Sequence, residues 1–259
     1  MLGAGRLGGA LLDGWTLTSA FAASDILIRD PHPGEAALRA AAAGAVLNPA
    51  DGDLKAARTV LLAVKPQVWR EAAAAAAPLL GPEAVIVSVA AGVKAGDIAE
   101  VFGRPAARVM PITAVAVAKG AGAVFSADAR ARGAAHALFD PVGTLVDVED
   151  EGMMDAVTGV CGSAPAYLYA FTEALEAAGE AQGLPPEVAK ALARATMAGA
   201  GALMAASGEE PAELRRQVTS PNGTTEAALK VLMGEGGLGP LLNEAVAAAT
   251  NRSRELSRS

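Results

Sequence analysis

The run Gly3-Ala4-Gly5-Arg6-Leu7-Gly8 restricts the fold of this chain more than any other stretch. It is a G-x-G-x-x-G leading into an apolar helical segment, Leu7 to Trp15. Glycine-rich turns are common, so the run alone is weak evidence, and its surroundings carry the weight. A strand-like run, Asp25-Ile26-Leu27-Ile28-Arg29, follows the helix and ends at Asp30. That is about 20 residues past the last glycine, the spacing of the dinucleotide fingerprint. Gly3, Gly5 and Gly8 permit a tight turn and the approach of a pyrophosphate to a helix N-terminus. Asp30 is a candidate acceptor for a ribose 2′-hydroxyl, which favours NADH with NADPH tolerated. Arg29 and His32 flank it and are alternative holders of a 2′-phosphate. Only Met1 and Leu2 precede Gly3, so the central strand of such a fold is expected to be nearly absent. Losing about five buried strand side chains forfeits on the order of 10 kcal/mol, comparable to a domain's whole stability. The expectation is a truncated first strand, with the natural chain beginning several residues earlier.

The alternation continues. Glu35 to Ala43 reads as a helix and Ala45 to Leu47 as a short strand. Thr59 to Val64 is a continuous apolar run with β-branched residues, the mark of a parallel strand covered on both faces. Lys65-Pro66-Gln67 ends it, and a helix from Val68 to Leu80 follows. Ala84 to Ala90 reads as a second buried strand, Lys94 to Val101 as a helix, and Arg108 to Pro111 as a strand. Gly122 to Ser126 and Thr144 to Val148 read as strands around a helix from Asp128 to Phe139. The series predicts a parallel sheet with right-handed crossovers, an α/β Rossmann-like domain over residues 1–150. At Glu149-Asp150-Glu151 the pattern changes, and residues 151–259 read as helices only. Two domains suit a chain of 259 residues. The segment Ala195 to Met204 is apolar nearly all round, and a helix without a polar face must be buried on all sides. A helical domain of roughly 110 residues has little room for that, which predicts a dimer packed around this segment. A central helix in a monomeric bundle is the competing reading.

Composition removes several function classes. A net charge of −7 with pI near 5.0 argues against a nucleic-acid or anionic-membrane surface. Cys161 is the single cysteine, which excludes an intramolecular disulfide framework and suits a reducing compartment. No basic segment precedes an apolar one at the start, and the uncharged run Ala195 to Ser207 is too short for a bilayer. A cytoplasmic protein is expected. Conventional acid–base groups are scarce. His32 falls in a loop near the expected adenosine end, and His136 in a helix as a surface or packing residue. No Cys/His cluster has metal-ligand spacing, so no metal is expected. Cys161 reads as a small packing residue rather than a nucleophile. A nucleotide domain and a helical domain without a strong acid or base point to hydride transfer, where the cofactor supplies the chemistry.

One island interrupts the helical half, Gln217-Val218-Thr219-Ser220-Pro221-Asn222-Gly223-Thr224-Thr225-Glu226. Pro221 and Asn222-Gly223 break one helix, and the next starts at Thr224 with Gly223 as N-cap. Glu226 is placed to reach back to the Gly223 N–H. The bare N–H groups of the first turn, beside the Thr224 and Thr225 hydroxyls, suit a carboxylate. An ordinary helix–helix connector uses the same residue types.

Four stretches together resemble the pyrroline-5-carboxylate reductase family: Gly3 to Gly9, Leu62-Ala63-Val64-Lys65-Pro66-Gln67, Gly162-Ser163-Ala164-Pro165-Ala166-Tyr167, and Thr219 to Leu229. The last two, in this order within a helical half, are specific, and the resemblance spans essentially the whole chain. It implies an NAD(P)H site with Gly3, Gly5, Arg6, Leu7, Gly8, Asp30, Ala63, Val64, Lys65 and Pro66 as cofactor contacts. It implies an interleaved homodimer, sometimes assembled into a decamer. It also implies a substrate site at Ser220, Asn222, Gly223, Thr224 and Thr225, with Thr225 hydrogen-bonded to the ring nitrogen. The resemblance further implies hydride transfer from the nicotinamide C4 to the imine C5. Three residues depart from the pattern: Ile112 for an asparagine, Cys161 for a serine, and Asn222 for a glycine. The alternatives are a cyclic imine reductase with another ring substrate, or a dinucleotide-binding protein without turnover.

Overall fold

The computed structural model describes residues 1–257. Helix α1 (Arg6–Thr18) leaves the glycine turn and runs past Trp15, to Ser19 in a left-handed conformation. Strands β1 (Leu27–Ile28) and β2 (Val46–Leu47) flank α2 (Glu35–Ala42). Then come β3 (Thr59–Leu62), α3 (Trp69–Ala76), β4 (Val85–Ser88), α4 (Ala95–Phe102) and β5 (Ala106–Pro111). Next are β6 (Gly120–Phe125), α5 (Ala129–Phe139) and β7 (Gly143–Asp147). The long helix expected from Val68 to Leu80 is three pieces, 3-10 turns at Pro66–Val68 and Ala77–Leu79 around α3. Pro78 has no N–H to continue the ladder.

Met1 and Leu2 occupy the central strand position between β1 and β3. Leu2 N–H donates to Leu61 O at 2.8 Å, and Ala63 N–H donates to Leu2 O at 2.8 Å. On the other side Gly3 N–H donates to Arg29 O, and Arg29 N–H to Met1 O, both at 2.9 Å. The expected shortening of the first strand therefore appears as bridges at Leu2, which join β2-β1 to β3-β4-β5-β6-β7. The pairing is parallel except between β5 and β6, where Val109 faces Val124 in an antiparallel register. The expected parallel crossover fails there because only Ile112–Lys119 connect the two strands. A crossover needs about a dozen residues or more.

Successive residues of the apolar runs serve opposite faces, which is why those runs carry no polar alternation. Leu61 and Val87 join Leu11, Leu12, Trp15, Val109 and Phe139 on the face covered by α1, α2 and α5. Leu62 and Ile86 join Trp69, Ile98 and Phe102 under α3 and α4. Trp15 Nε1 donates to Leu138 O at 2.7 Å, so its one polar atom is satisfied.

After β7 come α6 (Met154–Val157) and a π-helical turn, Thr158–Gly162. Then follow α7 (Ala164–Ala181), α8 (Pro186–Ser207), α9 (Pro211–Gln217), α10 (Thr224–Leu232) and α11 (Leu238–Leu256). Contacts divide the chain into one unit of Met1–Gly162 with the chain from Ala248, and a second of Ser163–Ala247. In this grouping α6 and the π-helical turn, which follow residue 150, go with the sheet. Fully buried Met154 packs with Met110 and Ala123 of the sheet, and a Cβ on Gly162 would meet Met110 Sδ at 3.2 Å. The end of α11 belongs to this unit because Ser253 Oγ donates to the Asp155 carboxylate at 2.6 Å.

The second unit buries very little. Among the described residues, α7, α9 and α10 bury none, and α8 buries only Ala189 and Ala193. Leu168, Phe171, Leu192, Leu203, Met204 and Leu241 all face solvent in the single chain. Large apolar side chains exposed in such number mark an interaction face.

Candidate active site

The glycine turn is built by close contact. Gly3 has φ 84, and a Cβ there would lie 2.9 Å from both Ala63 O and Val64 Cγ1. A Cβ on Gly8 would lie 2.7 Å from Gly3 O. Gly5 is different. It caps α1 without a side chain, and a Cβ there would meet nothing within 4 Å. The first-turn N–H groups of α1 therefore open onto free space, the arrangement that takes a pyrophosphate. Arg6, exposed, and Leu7, packed on the core, begin that helix. Lys65 and Pro66 continue from Ala63 and Val64 into a 3-10 turn closed by Val68 N–H on Lys65 O at 3.1 Å.

Asp30 sits against the same turn. Its Oδ2 accepts from Ala4 N–H at 2.7 Å and its Oδ1 from His32 N–H at 2.8 Å. Two partners escaped the sequence reading. Ala4 is an unmarked position inside the fingerprint, and Asn48 follows β2. The Asn48 side chain pairs with the Asp30 backbone, accepting from its N–H at 2.9 Å and donating to its O at 3.0 Å. The one available signal was an Asn before Pro49 at a strand end; its φ is 49. The structure thus brings Gly3, Gly5, Gly8, Asp30, Ala63 and Val64 into one place.

The island in the second unit forms a turn and a helix start. Gly223 N–H donates to Ser220 O at 3.0 Å, with Pro221 and Asn222 as the central pair. Asn222 has φ 59, which a turn of this kind demands at its third residue and which Asn tolerates. Gly223 caps α10 as expected, but the capping bond differs. Glu226 accepts from Asn222 N–H, because the Gly223 N–H is already taken by Ser220. That backbone bond, then Lys230, holds the Glu226 carboxyl below the usual range. The N–H groups of Thr224 and Thr225 have no intrahelical acceptor. Thr225 is half-buried, and Ser220, Asn222 and Thr224 are exposed.

Two clefts flank the sheet. One of about 630 Å³ opens at the N-terminal ends of β1 and β3, lined by Met1, Trp15, Phe21, Leu27 and Arg58. It holds none of the expected cofactor residues, and open α/β sheets bind ligands at the opposite, carboxyl ends of their strands. The second, of about 560 Å³, lies at those ends beside Pro66, Arg70, Gly92 and Asp97.

Known proteins agree along the whole length. A pyrroline-5-carboxylate reductase of Pseudomonas aeruginosa is 40% identical over 266 aligned residues, covering 99% of this chain and 95% of that protein. The chain belongs to the pyrroline-5-carboxylate reductase family. Residues 151–256 match the family described as pyrroline-5-carboxylate reductase dimerisation. Residues 1–92 match NADP oxidoreductase coenzyme F420-dependent. The solved reductase of Coxiella burnetii is 29% identical with a TM-score of 0.91, covering 100% of this chain and 97% of that one. The pyrroline carboxylate reductase of Plasmodium falciparum, solved with NADP bound, has the same fold. Its TM-score is 0.81 at 23% identity over 99% of this chain and 96% of that one.

Within this family the departures acquire places. Ile112 follows β5 and is tied to β6 through its N–H on Ala121 O at 3.0 Å. Cys161 lies in the π-helical turn, half-buried, and burial pushes its thiol pKa up. That favours the neutral thiol and a packing role. Arg108 is a buried cation that the sequence reading passed over. Its Nη1 lies 3.6 Å from Glu151 Oε1, while Nε and Nη2 have no partner among the described residues. Glu151 also accepts from Ala95 N–H at 2.7 Å, so one carboxylate ties β5 to the start of α4. His136 stands away from the glycine turn, its Nδ1 3.0 Å from Asp140 and its Nε2 3.4 Å from Asp147. No helix among the described residues is long and apolar enough to cross a membrane.

Proposed function

We infer that this chain reduces 1-pyrroline-5-carboxylate to L-proline, with NADH or NADPH as the reductant. The full-length relation to the Pseudomonas reductase carries this reading, because it takes in the glycine turn and the start of α10 alike. When bound, the dinucleotide supplies a hydride to the imine carbon. The chain's own residues position the reactants. The N-terminus of α1, with Gly3, Gly5 and Gly8, receives the pyrophosphate, and Ala63, Val64, Lys65 and Pro66 line its path. The turn and helix start at Ser220, Asn222, Gly223 and Thr224 receive the substrate carboxylate. Thr225 Oγ1 hydrogen-bonds the ring nitrogen. A protonated imine is already a strong electrophile, and the C=N electron pair moves onto nitrogen as hydride arrives. No strong general acid is required, in keeping with the lack of a histidine in the turn and helix start from Ser220 to Thr225. Residues 151–256 are the dimerisation region of an interleaved homodimer, open to further assembly. A reducing cytoplasm suits the single thiol.

The test is imine reduction followed by loss of dinucleotide absorbance, in the parent and in Thr225→Val. Valine keeps the shape and removes one hydrogen bond, worth about 1–3 kcal/mol in a closed site. The expected loss is roughly 5- to 150-fold in kcat/KM, with dinucleotide affinity unchanged. If kcat/KM stays within about twofold of the parent, the stretch is a connector and the site assignment fails.

A further inference from the structure

We propose that this chain is built to select NADH over NADPH. Asp30 is the discriminating residue, Asn48 positions it, and Asp51 withholds the adjoining Arg29. The inference rests on the reading above that a nicotinamide dinucleotide occupies the glycine turn.

The Asp30 carboxylate is aimed by the backbone. Its two oxygens accept from Ala4 N–H and His32 N–H, at 2.7 and 2.8 Å. The first bond fixes it against the glycine turn itself. Its own backbone is held by both polar atoms of the Asn48 amide, at 2.9 and 3.0 Å. The end of the second strand of such a fold faces the adenosine ribose, where a carboxylate accepts from a 2′-hydroxyl. A carboxylate oxygen has lone pairs beyond those the two N–H groups use, so that acceptor capacity remains. A 2′-phosphate at the same place meets like charge.

Cations could reverse this, so each neighbour matters. Arg29 adjoins Asp30 in sequence, but its guanidinium is paired with Asp51. Arg39 is paired with Asp13 at 2.8 Å and with Glu35 at 3.6 Å. Asp53 adds a second carboxylate to the segment after β2, its Oδ2 accepting from Ala50 N–H at 3.1 Å. Arg6 and His32 are exposed. The His32 backbone N–H is a donor to the Asp30 carboxylate. The ribose end therefore presents the Asp30 carboxylate, and the guanidinium that adjoins it in sequence, that of Arg29, is paired with Asp51.

The experiment is fluorescence titration of the purified chain with NADH and with NADPH, which needs no turnover. NADH is expected to bind at least about tenfold more tightly, from one close like-charge contact at the protein surface. Asp30→Ser should bring the two dissociation constants within about threefold. Asp51→Asn should release Arg29 and tighten NADPH several-fold with NADH unchanged. Asn48→Gly keeps the left-handed backbone while removing the amide, and should weaken NADH several-fold and narrow the ratio. A thermal melt without dinucleotide, alongside each titration, identifies any variant that fails to fold. NADPH bound more tightly than NADH by the parent, or a ratio unmoved in Asp30→Ser, overturns the proposal. Binding of neither dinucleotide would instead overturn the reading of the site on which it rests.

Discussion

Gly3 and Gly5, three residues and one residue before the start of α1, make a controlled comparison, because the structure assigns them different costs. At Gly3 an alanine must hold φ 84, at about 1–2 kcal/mol. Its methyl would also lie 2.9 Å from the Ala63 carbonyl, a backbone atom that cannot swing aside. Overpacking of that kind adds about 1–3 kcal/mol. A loss on the order of 10 °C in the melting temperature of the free protein is expected for Gly3→Ala. At Gly5 the methyl meets nothing within 4 Å, and φ is −66. The cost is a poorer N-cap, under about 1 kcal/mol, or at most about 4 °C. Yet the methyl stands where a pyrophosphate must approach the first turn of α1. Losing one charge-assisted hydrogen bond there costs about 1.5–3 kcal/mol, roughly 10- to 150-fold in affinity. Melting curves without ligand and fluorescence titration with NADH give both numbers. Gly5→Ala should be stable and bind poorly. If it binds like the parent, the pyrophosphate does not lie on the α1 N-terminus and the glycine turn is only structural.

Two further outcomes follow from the rest of the molecule. Partial burial pushes the His136 pKa down, but hydrogen bonds and charge from Asp140 and then Asp147 outweigh it, so the pKa is raised overall. The stabilisation is fully present below the unfolded value of about 6.5 and disappears as pH rises through the folded value. His136→Gln should therefore lower the melting temperature at pH near 5.5 and leave it unchanged near 9. The effect stays under about 1 kcal/mol because both carboxylates are about half exposed to solvent; an equal loss at both pH values contradicts the sign. Gly199→Arg meets open space within one chain. If a second copy covers α8, the buried charge costs several kcal/mol, so light scattering should show a lost oligomer or aggregation, with loss of activity. A well-folded, fully active monomer refutes the covered helix.

The α/β half was legible wherever a local pattern reports a local environment. Thr59 to Val64 and Ala84 to Ala90 read as buried strands because Leu61 and Leu62, or Ile86 and Val87, serve opposite cores. Asp30 was found by its spacing from Gly8, and the structure puts its carboxylate on Ala4 N–H. What escaped depends on partners distant in sequence. The direction of β6 is written in the length of a loop, not in the residues of the strand. That α6 packs on the sheet, with Met154 against Met110, is a match that helical periodicity does not encode. Asn48 was missed because its amide serves another strand's backbone. At the α10 start the residue types were right and one bond was not. Glu226 was expected on the Gly223 N–H, but the turn at Asn222 had already given that donor to Ser220.

Helix α8 shows where sequence and a single chain reach the same limit. The apolar circumference of Ala195 to Met204 demands cover, and in one chain Leu203 and Met204 remain about half exposed, at 57% and 49%. By contrast, α1 buries Leu11 and Leu12 almost completely against its own sheet, at 0% and 2%. Both helices are amphipathic to a similar degree and similarly apolar on average, so that measure does not separate them; the supply of a partner surface does. For α1 that surface is the sheet of the same chain. For α8 it must come from outside, and the dimerisation region spanning residues 151–256 names a second copy as its source. The helical unit then gains its core only on association. Its stability rises with protein concentration, so dilution should expose the α10 half-site's scaffold before it disturbs the glycine turn, whose packing lies within one chain.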